Sequence, residues 1–215
     1  MSDACDLGPS VSAEELRYVS PGTSLLLAGP PDVDKRAVAL EFLAAGQRRA
    51  DGVVTISVEL GAQPLVAAYR STGGADDERL RVIDATGFGS DADRVAAVDS
   101  PTNLSGVGSA LGRHLEQYVT MNTRGLRVGH LSATALLERM DRGRVYKFLR
   151  TLMDRVDRAG YLGVSTIDTA ACNEQTVAML ADAFSALVEL RPRDGATEMR
   201  TSGLDAPRSW TTLAT

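Results

Sequence analysis

The chain has 215 residues, 44% of them hydrophobic and 24% charged, which is the make-up of a folded domain long enough to bury a real core. Its net charge of −5 argues against non-specific nucleic-acid binding. No apolar run approaches the roughly 18–20 residues that span a bilayer, and the polar, acidic start "MSDACDLGPSVSAEELRY" lacks the basic and apolar regions of a signal peptide, so the expected location is cytoplasmic with no membrane partner.

Cys5 and Cys172 share no metal-ligand spacing and read as two free thiols of a reducing compartment. Lys35 and Lys147 are the only lysines among 23 basic residues. That bias toward arginine, with aspartate outnumbering glutamate, leans toward a GC-rich genome and a salt-rich cell.

Residues 1–20 read as a loose N-terminal arm holding a short capped helix, with Ser12 as the cap and Glu15 three residues on. The rest, 21–215, reads as one domain. Ser24–Ala28 is a short apolar strand, and Lys35–Arg49 carries Ala37, Leu40, Phe42, Leu43 and Ala44 at helical spacing. Gly52–Leu60 is a β-branched strand, Pro64–Ser71 a helix with proline near its first turn, and Arg79–Thr86 a third strand. Arg94–Pro101 is a weaker strand and Asn103–Val119 a helix with three glycines. Leu126–Ser132 is a strand, Ala133–Arg139 and Arg142–Ala159 are helices, Tyr161–Asp168 is a strand and Glu174–Ala183 a helix. "SALVELRP" and "ATEMRTSGL" then flank Arg193-Asp194-Gly195, a hairpin turn signal, and Ser209–Leu213 reads as a last strand. Alternation of buried strands with helices predicts an α/β fold: a mainly parallel sheet flanked by helices, closed by a C-terminal antiparallel β-hairpin.

The stretch from Ser24 to Gly46 carries chemistry. Strand, glycine turn, lysine and helix follow one another as in a phosphate-binding loop, where backbone N–H groups and a helix N-terminus cradle phosphate, a lysine reaches the β- and γ-phosphates, and a hydroxyl residue holds Mg²⁺. Against G-x-x-x-x-G-K-[ST], the residues are Gly29 and Lys35 in place, Asp34 for the second glycine and Arg36 for the hydroxyl. Aspartate tolerates left-handed backbone, but its carboxylate would sit among phosphate oxygens, repelling one of them by roughly 4 kcal/mol at 4 Å and an effective dielectric of 20. Guanidinium has no lone pair for Mg²⁺, although it could touch phosphate directly.

The collinear set of segments resembles the KaiC-like branch of the RecA superfamily, and within it the small divergent haloarchaeal members. "SPGTSLLLAGPPDVDKRAVALEFL" resembles the entry strand, P-loop and first helix; "VDSPTNLSGVGSALGRHL" a glycine-rich helix start; "RVGHLSATALL" the Walker B strand with its "DSLSxLL" continuation; and "LVELRPRDGATEMRTSGLDAPRSWTTL" the closing hairpin and tail. The resemblance implies a RecA-like sheet and a nucleotide site holding Gly29, Asp34, Lys35, Arg36 and His130, with Glu59 as the surviving candidate for the catalytic acid. His130 stands where the Walker B aspartate is expected, so both usual Mg²⁺ supports are missing. ATP is the candidate ligand, and no metal-ligand set is present. Asp168, at a strand end, reads either as a ligand-edge residue or as a loop cap, and "MDRGRVYKFLR" (140–150) as a solvated amphipathic face. The expected function is that of a degenerate P-loop domain without hydrolysis, regulating through a protein partner or its own oligomer. An ATP-binding switch and a weak ATPase are the alternatives.

Overall fold

The structure, a computed structural model, describes residues 4–121, 123–205 and 208–214. In chain order the strands are β1 (Cys5–Asp6), β2 (Tyr18–Val19), β3 (Ser24–Gly29), β4 (Gly52–Ser57), β5 (Leu80–Asp84), β6 (Val95–Ala97), β7 (Leu126–Leu131), β8 (Leu162–Asp168), β9 (Ala186–Arg193), β10 (Ala196–Ser202) and β11 (Thr211–Leu213). The helices are α1 (Glu14–Arg17), α2 (Lys35–Gln47), α3 (Ala62–Ser71), α4 (Leu104–Val119), α5 (Ala133–Leu137), α6 (Arg142–Arg158) and α7 (Glu174–Ala181).

Nine strands form one sheet in the order β11-β10-β9-β3-β8-β7-β4-β5-β6. Strands β9 through β6 are mutually parallel, while β10 and β11 pair antiparallel at one edge, as the hairpin signal predicts. Asp194 (φ 50) and Gly195 (φ 81) make that turn, whose two left-handed residues suit aspartate and glycine.

The central strands are buried on both faces, which explains why β3 reads as a nearly continuous apolar run and why even the polar residues of β4 and β7 are buried. Side-chain alternation splits the core in two. Leu25 and Leu27 join Leu40, Phe42 and Leu43 of α2 on one face. Leu26 and Ala28 join Val145, Leu149 and Met153 of α6 on the other.

The expectation of a loose arm does not hold for its described part; residues 1–3 lie outside the described residues. Leu7, Val11, Leu16 and Val19 are all buried, β1 pairs with β2, and Val11 bridges to Leu213 on the outer edge of β11. A few large apolar side chains among polar residues suffice to hold the segment down once a complementary surface exists. Ser12 does not cap α1: Ala13 occupies that position, and the Ser12 hydroxyl donates to the Thr212 carbonyl instead.

Arg127 of β7 is the largest fully buried side chain. Its Nε donates to Asp51 Oδ2 at 3.0 Å, and Nη1 donates to the carbonyls of Asp6 and Phe42, each at 2.6 Å. It thus ties the N-terminal segment, α2 and the sheet together. Gly46 of α2 makes room for it, since a Cβ there would lie 1.8 Å from Arg127 Nε.

Candidate functional site

The parallel strands β3, β4, β7 and β8 end along one edge, where ligands collect in open α/β sheets. A cleft of about 580 Å³ lies there, between the loop 31–36, Glu59, Ser132, Thr134, Glu138, Thr166 and Asp168. A smaller cavity of about 180 Å³ lies at the opposite edge, near Cys5, Arg49 and Arg124, away from the strand ends that shape the cleft.

The loop after β3 is closed on itself. Val33 is buried, and its N–H donates to the Pro30 carbonyl at 3.2 Å. Asp34 is the N-cap of α2, and its Oδ1 accepts the Ala37 N–H at 2.9 Å. That is the common use of aspartate at a helix start, where it satisfies an orphan N–H and complements the positive end of the helix dipole. Its φ of −76° is ordinary, so no left-handed residue is needed here. The carboxylate takes an N–H that a phosphate would have to accept.

Lys35 is engaged as well. Its Nζ donates to the Pro30 carbonyl at 2.6 Å and the Val33 carbonyl at 3.3 Å, and lies 3.6 Å from Asp168 Oδ2. Asp168 also caps its own loop, since Oδ1 accepts the Ala170 N–H at 2.8 Å. The loop-cap reading of that residue is therefore realised, and its other oxygen faces Lys35 across the cleft. Arg36 Nη2 lies 3.6 Å from Glu59 Oε2, with both side chains substantially exposed. Glu59 sits just beyond β4 in a turn organised by the Ser57 hydroxyl, which donates to the Leu60 carbonyl and accepts the Leu60 N–H. The cleft holds five carboxylates, Asp32, Asp34, Glu59, Glu138 and Asp168, against two cations, each of which faces a carboxylate.

Two expected residues are elsewhere. Gly29 ends β3 but packs toward β9, where a Cβ would come within 3.1 Å of Leu190. His130 is fully buried in the sheet, edge-on to Phe148 of α6 at 5.7 Å, with Nδ1 3.1 Å from Ser165 Oγ. Burial pushes its pKa down to about 4, so it is neutral at ordinary pH. Successive strand residues point to opposite faces, so one step of register decides the surroundings. Aligning "DSLSxLL" with residues 131–137 sets Leu131, not His130, at the aspartate position. Leu131 is buried in the core on the α2 face, so neither residue puts a carboxylate in the cleft.

Sequence reasoning passed over the hydroxyls of the cleft. Ser132 adopts φ 91, ψ 92, a strained region for a residue with a Cβ. Its hydroxyl accepts the Ala135 N–H and caps α5, while its own N–H donates to Thr166 Oγ1 at 3.0 Å. Thr134 Oγ1 accepts the Asp168 N–H at 2.8 Å. The available signal was a Ser-x-Thr pair directly after an apolar strand.

A family described as one of unknown function, DUF7504, matches residues 22–190. The chain belongs to DUF7504. No curated protein sequence matches this DUF7504 chain. Among solved structures it resembles the uncharacterized protein PH0321 from Pyrococcus horikoshii in complex with an unknown peptide. The two are 12% identical, with a TM-score of 0.70, over 92% of this chain and 90% of that one. It also resembles the KaiC-like protein PH0186 from Pyrococcus horikoshii OT3, at 16% identity and a TM-score of 0.62, over 89% and 84% of the two chains. The flagellar accessory protein FlaH from Methanocaldococcus jannaschii is 10% identical, with a TM-score of 0.60, over 94% and 87%. At these identities the likeness establishes the fold alone, a RecA-like, mainly parallel sheet flanked by helices, which this DUF7504 member shares with them. No helix among the described residues is long and apolar enough to cross a membrane.

The fold implies a Mg²⁺–nucleotide complex at this edge, and the residues present do not fit it. The Asp34 carboxylate covers a helix N–H, Lys35 is bound to its own loop, Arg36 supplies no metal ligand, and no group of three or more potential ligands gathers among the described residues.

Proposed function

We propose that this protein is a degenerate P-loop domain that does not hydrolyse nucleotide and acts as a regulatory protein through contacts with other proteins. The observation that carries the reading is the self-closed loop: Asp34 Oδ1 on the Ala37 N–H, with Lys35 Nζ on the Pro30 carbonyl. An incoming triphosphate would have to displace a carboxylate, break the lysine from two carbonyls, and enter a cleft with an excess of negative charge. No three of these acids gather as a ligand set among the described residues, so nothing there holds the cation that offsets phosphate charge in working NTPases. A neighbour of the same fold was solved in complex with an unknown peptide, which agrees with a domain that works by contact. The resemblance to the divergent haloarchaeal branch belongs to the same reading.

Titration with labelled ATP, with and without Mg²⁺, tests it. The expected result is no saturable binding below millimolar ATP, and phosphate release equal to that of Lys35→Ala. Micromolar binding by the wild type would replace this reading with that of a nucleotide switch.

A further inference from the structure

Helix α6 carries a feature that the cleft does not explain. Its buried stripe is Val145, Leu149, Leu152, Met153 and Val156. On the opposite face Arg144, Lys147, Thr151, Arg155 and Arg158 follow one another at spacings of three and four, so they form a single line along the helix. All five are exposed. None of the four cations makes an ion pair among the described residues; on this helix the cation that does is Arg150, with Asp154 at 3.2 Å. At 1.5 Å per residue the line is roughly 21 Å long. Four unneutralised cations on one line stand out on a chain of net charge −5.

We propose that this line is the docking surface for an acidic segment of a partner protein, an acidic helix with carboxylates at three- and four-residue spacing. The proposal rests on the reading of a domain that works by contact. Charge complementarity selects the occupant, and the surroundings narrow it. Asp141 precedes the line, and Asp154 and Asp157 flank it. A uniformly charged polyanion such as DNA would lay phosphates over those carboxylates. A helix can set its acids on the line and neutral or basic residues beside the flanking aspartates. The aromatic residues of α6, Tyr146 and Phe148, are half-buried against the core and are not free to stack on bases.

The test is fluorescence anisotropy at 150 mM salt with three proteins. The probe is a labelled helical peptide bearing glutamates at i, i+4, i+7 and i+11. The first variant is Arg144→Glu with Lys147→Glu and Arg155→Glu. The second, with the same change in net charge, is Arg49→Glu with Arg124→Glu and Arg208→Glu, three exposed arginines that are not part of α6. Binding of wild type and the second variant, with at least a tenfold loss in the first, is expected for three reversed surface charges. Equal loss in both variants would reduce the effect to net charge and overturn the proposal. So would failure of the wild type to bind, or tighter wild-type binding to a single-stranded oligonucleotide of equal charge. Should the first variant lose its circular-dichroism spectrum, Arg144→Gln with Lys147→Gln and Arg155→Gln replaces it, with a loss of severalfold expected and no loss overturning the proposal. ATP binding by wild type would remove the reading of the cleft and leave this result standing.

Discussion

Replacing Asp34 with glycine is the most direct probe of the closed loop. The carboxylate accepts the Ala37 N–H at 2.9 Å, so it stands where a phosphate oxygen accepting that N–H would stand. An aspartate-to-glycine change at an N-cap costs only a few tenths of a kcal/mol, and losing the dipole interaction about 0.3–1 kcal/mol, so the fold survives. The gain is the relieved repulsion. Two like charges about 4 Å apart repel by about 1 kcal/mol in water and about 4 kcal/mol at an effective dielectric of 20. Asp34 is exposed, which sets the value between these limits, near 2 kcal/mol or about 30-fold in affinity. Lys35 still has to leave Pro30 and Asp168, so the variant remains a weak binder, and Asp168→Asn added to it strengthens binding further. Because neither His130 nor Leu131 presents a group to the cleft, the gain is the same with and without Mg²⁺. An aspartate placed at 130 would be buried beneath Phe148 and would not supply a metal anchor. Anisotropy with labelled ATP measures the change. A folded Asp34→Gly protein that binds no better than wild type would refute the reasoning, as would an increase seen only with Mg²⁺.

Other outcomes follow from the same geometry. Glu59→Gln leaves phosphate release at the level of buffer, and it shifts stability by less than about 1 kcal/mol, because its pair with Arg36 is exposed. Arg127→Ala leaves Asp51 unpaired and removes the guanidinium donor from the buried Phe42 carbonyl and the half-buried Asp6 carbonyl; a loss of about 3–5 kcal/mol is expected, read as a urea midpoint lower by at least about 1 M. His130 is neutral in the folded protein down to about pH 4, while in the unfolded chain it takes up a proton near 6.5. The unfolded state therefore binds more protons between those values, and stability falls as pH drops through that window, by about 3 kcal/mol at its lower end. His130→Leu removes this part of the slope in denaturation curves taken from pH 7 to pH 4, and an unchanged slope would show that His130 is not the group responsible.

Local pattern was enough to place the elements and their class. Strand and helix periodicities each lie within one run of residues, and they located every sheet strand from β3 to β11 to within a few residues. The Asp-Gly turn marked the antiparallel edge, and the glycine turn with Lys35 marked the start of α2. Strand order, the burial of Arg127 and the packing of residues 5–19 depend instead on surfaces brought together from distant parts of the chain. An arginine in a strand reads as exposed until Asp51 and two carbonyls are found around it. The cleft was half legible: Asp34, Lys35, Arg36 and Glu59 line one cleft, because each follows the C-terminal end of a parallel strand. Whether Lys35 and Glu59 are free to act depends on Asp168 and Arg36, which reach them from across the cleft and from other strands' ends. His130, read as the aspartate position, stands one residue short of it, since the motif places that position at Leu131. Side chains alternate between the two faces of a strand, so that one step exchanges the sheet's two cores, and only packing against α6 fixes which core a residue enters.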